Sequence, residues 1–110
     1  MLGAEMGGWT IVYQIDLAEE QDADAFEAFM RDRYLPAVHR GPTRAGQVTG
    51  LALWRGVSGT HQLTRRFLLH MDFDGLSTGR LRIDDDEVQS AFDAFDADLV
   101  RVGAFTKIAG

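Results

Sequence analysis

Residues 65–73 read RRFLLHMDF and form the clearest strand pattern of the chain. Every second side chain of this segment is large and apolar: Phe67, Leu69, Met71 and Phe73. The alternate positions form a mixed set: Arg66, Leu68, His70 and Asp72. A period of two with aromatic and aliphatic residues predicts a β-strand that has one strongly apolar face.

The same alternation predicts three more strands on either side of this segment, over residues 9–17, 47–55 and 100–108. A helix is predicted from about residue 22 to 34, because Asp22 or Asp24 can cap it and Pro36 disfavours helical geometry at Leu35. A second helix is predicted to open at the acidic run 84–87. Its apolar stripe consists of Val88, Ala91, Phe92, Phe95 and Leu99.

The predicted order β-α-β-β-α-β is the ferredoxin-like arrangement of the α+β class, a four-stranded antiparallel sheet with two helices on one face. The other sheet face carries Val, Leu and Trp beside polar groups, and it is too apolar to be left in water. We therefore expect a homodimer that packs sheet against sheet.

The composition of the chain narrows its class. It has 110 residues, 45% of them hydrophobic, and no cysteine. A single domain is expected over residues 1–110, with an ordered core at about 9–108. The absence of cysteine excludes a disulfide scaffold and a cysteine-based metal site.

The net charge of -6 argues against a nucleic-acid partner. No signal-peptide pattern or long apolar run occurs, so no membrane partner and a cytoplasmic location are expected.

The order of elements, with strands that are apolar on both sides, resembles the dimeric α+β barrel superfamily, in particular its small antibiotic-biosynthesis monooxygenase-like members. The resemblance covers nearly the whole chain and implies a homodimer with a ligand cleft between helices and sheet. Members include cofactor-free oxygenases, polyketide cyclases, haem-degrading enzymes and lactone isomerases. The haem-degrading branch uses an asparagine in its first strand, and this chain contains no asparagine.

Arginines are concentrated in the middle of the chain, where residues 31–66 hold seven of them and a single acid. This segment could form a pocket mouth for an anionic or phenolate ligand, in which Arg44 or Arg55 orients the substrate. Alternatively, the arginines only pair with acidic helices.

Histidine is the residue type best suited to proton transfer here, since it titrates near neutral pH. His70 and His39 are the candidate catalytic residues. His70 could instead be a satisfied interface histidine, and His39 an ordinary residue at a helix end. Tyr34, Trp54 and Tyr13 are candidates for substrate binding, although aromatic residues at such spacing also form plain core.

Metal and cofactor sites have no motif in this sequence. The histidines are far apart, and no phosphate-binding glycine pattern occurs. We therefore expect no metal and no cofactor.

Two functions remain open. One is a small cofactor-independent enzyme, of monooxygenase, cyclase or isomerase type, acting on an aromatic or polyketide-like molecule. The other is a non-catalytic dimeric module that binds a small ligand or a protein partner.

Overall fold

The computed structural model describes residues 8–40, 48–74 and 85–109. They form an α+β fold in which a four-stranded antiparallel sheet carries helices on one face, an arrangement compatible with a ferredoxin-like fold. The strands are β1 (Gly8–Leu17), β2 (Val48–Arg55), β3 (Arg66–Asp74) and β4 (Ala97–Phe105). The helices are α1 (Ala23–Phe29), α2 (Leu35–Arg40) and α3 (Asp86–Ala94). A π-helical turn (Met30–Tyr34) joins α1 to α2, and a 3-10 turn (Leu63–Arg65) precedes β3.

The strand order is β2-β3-β1-β4, with β2 and β4 at the edges. Every neighbouring pair is antiparallel. In the central ladder Tyr13 lies opposite Leu69, and Val12 lies opposite His70. This register places the apolar sets of β1 and β3 on one side, the helix face. The opposite side, which the helices leave uncovered, is called the open face.

The first helical stretch continues through Pro36 to Arg40, so the predicted end at residue 34 is wrong. In the π turn, the N–H of Leu35 donates to the carbonyl of Met30, five residues back. Pro36 therefore stands in the first turn of α2, where its missing N–H costs little. Burial of Tyr34 and Val38 favours this continuation over the local preference of a residue before proline.

The second helix ends earlier than its apolar stripe predicts. Asp85 caps α3 by accepting from the N–H of Val88, which confirms the acidic helix start. The helix stops at Ala94, and Leu99 belongs to β4, where it pairs with Ile15. Strand β4 thus runs over Ala97–Phe105 and not over the predicted residues 100–108, because it pairs with β1 from Thr10 to Leu17. No helix in the described ranges combines the length and the apolar character needed to cross a bilayer.

The core lies between the helix face of the sheet and the helices. Phe26 is its centre, since its ring centroid is 5.0 Å from those of both Phe67 and Phe95. Phe26 and Met30 are fully buried, and Phe92 is 6% exposed. Aromatic and aliphatic side chains therefore fill the middle of the helix–sheet layer.

Candidate functional site

The open face holds two of the predicted site residues. His70 and Trp54 contact each other there, with ring centroids 6.0 Å apart and planes inclined by 49°. They come together because Ala52 of β2 lies opposite His70 and Trp54 lies opposite Leu68. The Trp54 side chain is 57% exposed, whereas His70 is half-buried.

Tyr13 and Tyr34 lie in the helix–sheet core, 3% and 1% exposed. The Tyr34 ring centroid is 4.9 Å from that of Phe92. Burial raises the pKa of the Tyr34 phenol, and nearby Tyr13 and Asp93 raise it further. Burial also raises the pKa of Tyr13, against a smaller opposing effect of Arg101. Both phenols thus stay neutral at physiological pH, on the opposite side of the sheet from His70.

Arg55 sits at the end of β2, on the helix face. Its Nη1 donates to Asp24 Oδ1 at 2.7 Å and to Glu27 Oε1 at 2.9 Å, and its guanidinium carbon lies 5.7 Å from the centroid of the Phe67 ring. The hydrogen bonds to Asp24 and Glu27 raise the pKa of Arg55. The side chain is therefore charged, and it is held between two carboxylates and an aromatic ring.

A groove of about 320 Å³ opens beside Arg55, between the first helical stretch and β2. Leu35 and Leu53 contribute its apolar surface, the fully buried Phe67 lies beneath its floor, and Glu27 and Arg31 also line it. Sequence reasoning missed this groove, because its two walls are 18 or more residues apart along the chain. They meet only when the first helical stretch packs beside β2. One signal of the site was present in the sequence. Asp24 and Glu27 are three residues apart in a predicted helix and so lie on one helix face, a spacing that favours binding of a cationic side chain.

Three further arginines, Arg31, Arg33 and Arg66, have acidic partners, which supports the alternative that the arginines pair with acids. Arg66 binds Asp16 through two hydrogen bonds, of 2.7 and 3.1 Å, and these lower the pKa of the Asp16 carboxyl. Arg33 pairs with Glu87 on α3 at 3.4 Å. Other acidic or carbonyl oxygens bind Arg31 and Arg65. Arg44 lies outside the described residues.

The remaining histidines are at the surface. His39 is exposed on α2, five positions after Tyr34, whereas the Tyr34 side chain is buried in the core, so the two do not share a site. The ring of His61 lies 2.6 Å from Glu19 Oε1, and both side chains are about 70% exposed. Among the predicted site residues, the structure therefore brings His70 together with Trp54. His39 lies on the surface of α2, Tyr13 and Tyr34 lie in the core, and Arg55 lies at the end of β2.

Across residues 8–40, 48–74 and 85–109, no group of three metal-ligating side chains is close enough to hold an ion. Comparison with known proteins adds no relative, since no family model, curated protein or solved structure matches the chain. The function of the chain is therefore inferred from the arrangement of its own residues.

Proposed function

We propose that this chain is a non-catalytic module that pairs with a second copy of itself and binds a small aromatic anion. The observation that carries this proposal is the separation of the ionisable candidates. The half-buried His70 lies on the open face, while the helix–sheet layer is filled by Phe26, Met30 and Phe92. A cofactor-free enzyme needs a base within hydrogen-bond reach of an enclosed substrate, and this packing does not favour one.

For the fold we propose the ferredoxin-like, dimeric α+β barrel type. The order of strands and helices along the chain and the position of the helices on one face support it. Such a fold leaves the other face of the sheet for a partner. A second copy is the simplest occupant, because most soluble oligomers are symmetric homo-oligomers.

The apolar character of the open face supports pairing between copies. Trp54, Val100 and Phe105 are each about half exposed there, beside the half-buried Leu68 and Val12. They come from all four strands, and Gln14 lies between Leu68 and Val100 in the register. Single exposed apolar residues are ordinary, but several on one sheet face favour an interaction surface.

The size of the face also suits a dimer. Its strands contain eight to ten residues. With strands about 4.8 Å apart and a rise of about 3.3 Å per residue, the face covers roughly 600 Å² in projection. A stable interface buries about 800 Å² of accessible surface per partner. Because side chains protrude from the sheet, the accessible area of the face is larger than its projected area. Two such faces therefore provide enough surface.

The groove beside Arg55 is the proposed ligand site. The partly buried Leu35 and Leu53 offer an apolar surface for a flat ring, and Arg55, which lies over the buried Phe67, offers a guanidinium for a carboxylate. The Asp24 carboxylate that now binds Arg55 is 87% exposed. Exposed ion pairs contribute little, so a ligand carboxylate can take the place of Asp24.

Benzoate is a suitable probe for this site, with benzyl alcohol as its uncharged analogue. We expect saturable benzoate binding in calorimetry, and weaker binding of the alcohol. Arg55→Gln is expected to weaken benzoate binding by roughly 10- to 100-fold, since hydrogen bonds to charged groups contribute about 1.5–3 kcal/mol. Arg33→Gln removes the same charge outside the groove and should leave benzoate binding unchanged. Absence of binding, or equal binding to Arg55→Gln, would overturn the proposed ligand site.

The contact between His70 and Trp54 favours a second candidate, a cofactor-independent enzyme. A substrate ring against Trp54 would lie beside an imidazole able to take a proton from it, at a site that a second sheet would close. Oxygen uptake or isomerisation with a panel of phenolic compounds tests this candidate. His70→Ala should abolish a detected turnover, and His39→Ala should not. Turnover that survives His70→Ala would exclude this site.

A further inference from the structure

A second cavity, of about 390 Å³, lies at one end of the sheet on its open face, beyond His70 and Trp54 and apart from the groove beside Arg55. Its lining comes from all four strand ends: Thr10 of β1, Thr49 of β2, Asp72 of β3, and Thr106 and Lys107 after β4. Three hydroxyl groups, a carboxylate and an ammonium group thus converge at this cavity.

Neighbouring strands orient the Asp72 carboxylate. Its Oδ1 accepts from the Thr10 hydroxyl at 2.5 Å, and the Asp72 carbonyl accepts from the Thr49 hydroxyl at 3.2 Å. Gly50 provides the space for the second oxygen, because a Cβ at this position would lie 2.7 Å from Asp72 Oδ2. Oδ2 makes no hydrogen bond within the part of the chain that the structure describes. One oxygen of this carboxylate is therefore fixed and the other is available.

Lys107 provides the opposite charge, and it is the sole lysine of the chain. Its ammonium group forms no ion pair or hydrogen bond with residues 8–40, 48–74 or 85–109. Asp72 lies opposite Thr10, and Thr10 lies opposite Phe105, so the backbones at Asp72 and Phe105 are about two strand spacings, roughly 10 Å, apart, and Lys107 follows Phe105 by two residues. The two opposite charges thus line one cavity without neutralising each other.

We infer that this cavity binds a small zwitterion of the free α-amino acid class. The ligand's ammonium group donates to Asp72 Oδ2, and its carboxylate accepts from Lys107, with the threonine hydroxyls beside both. Hydrogen bonds between ionised groups are about twice as strong as those between neutral groups, and two of them fix the ligand's orientation. A ligand with one charge leaves either Asp72 or Lys107 unmatched, so the site discriminates against simple anions and simple cations.

Reductive methylation of the protein with isotope-labelled formaldehyde tests this inference, because methylation keeps the charge of an amine. It labels Lys107 and the N-terminal amine, and the latter is an internal control. We expect glycine to produce a saturable shift of the Lys107 methyl signal in NMR spectra. Acetate and methylammonium should bind at least about tenfold more weakly than glycine. Absence of a saturable glycine shift, or acetate binding as strong as glycine binding, would overturn the inference.

Asp72→Asn provides a second test of the same site. It should weaken glycine binding by roughly tenfold or more, whereas Asp98→Asn, the same charge change at the other end of the sheet, should not. Equal glycine binding to Asp72→Asn and the unaltered protein would contradict the assignment. Competition of acetate or methylammonium with glycine, measured on the unaltered protein, tests the preference for the zwitterion without any variant. Because benzoate reports on the groove and glycine on this cavity, either site can fail its test alone.

Discussion

His70 and Trp54 pack ring against ring across the β2–β3 ladder, on the face of the sheet that the helices leave uncovered. Their centroids are 6.0 Å apart, within the range of aromatic pairs. The contact orders a large, half-exposed indole at a fixed position. In the proposed dimer this indole is part of the interface.

The first prediction concerns this contact. His70→Ala removes the ring that supports Trp54, and aromatic pairs contribute about 0.5–1.5 kcal/mol beyond their buried area. We therefore expect the dimer dissociation constant to rise roughly two- to tenfold in sedimentation velocity. His61→Ala, which removes a surface histidine paired with Glu19, should not change this constant. An unchanged constant for His70→Ala would mean that the contact plays no part in association.

A second prediction concerns the core. Phe26 is fully buried among Phe67, Phe92 and Phe95, so Phe26→Ala leaves a cavity between helix and sheet. We expect the free energy of unfolding in urea to fall by about 3–5 kcal/mol. Ile108→Ala is a control at a side chain that is 93% exposed, where a change within about 0.5 kcal/mol is expected. A loss below about 1 kcal/mol for Phe26→Ala would contradict the described packing.

A third prediction is the acid dependence of stability. Hydrogen bonds from Arg66 lower the pKa of Asp16 in the folded state. Asp16 therefore contributes stability above its unfolded-state pKa of about 3.9, and this contribution is lost as the pH falls through the lower folded-state value. Arg66→Gln should be less stable than the unaltered protein near neutral pH, with the difference shrinking below about pH 3. Urea unfolding at both pH values measures this, and a difference that stays constant would exclude the ion pair as its cause.

A fourth prediction concerns alkaline pH. Burial raises the pKa of Tyr34 in the folded state, while the unfolded chain titrates near 10. The contribution of Tyr34 to stability is therefore fully present below about pH 10 and is lost as the pH rises beyond it. Unfolding in urea between about pH 8 and pH 11 should show a shallower alkaline decline for Tyr34→Phe than for the unaltered protein. Tyr13→Phe should have a smaller effect, because Arg101 partly offsets the burial of Tyr13. An equal decline for all three proteins would contradict the burial of Tyr34.

The strands were predictable because β1 and β3 alternate strictly and pair along their whole length. The two boundary errors, at residue 34 and at Leu99, occur where long-range packing overrides a local signal. The open face and the helix face could not be told apart from sequence, since both carry apolar residues. The pairs Arg55–Asp24 and Arg66–Asp16 span 31 and 50 residues, and only the folded chain identifies them.

Sedimentation equilibrium at micromolar concentration tests most directly whether the open face joins two copies. We predict a mass twice the 12.2 kDa of the chain, and a single-chain mass for Trp54→Glu, which places a charge on the open face. Val57→Glu, at an exposed position after β2, should remain dimeric. A single-chain mass for the unaltered protein, or a dimer that Trp54→Glu leaves intact, would contradict pairing through this face.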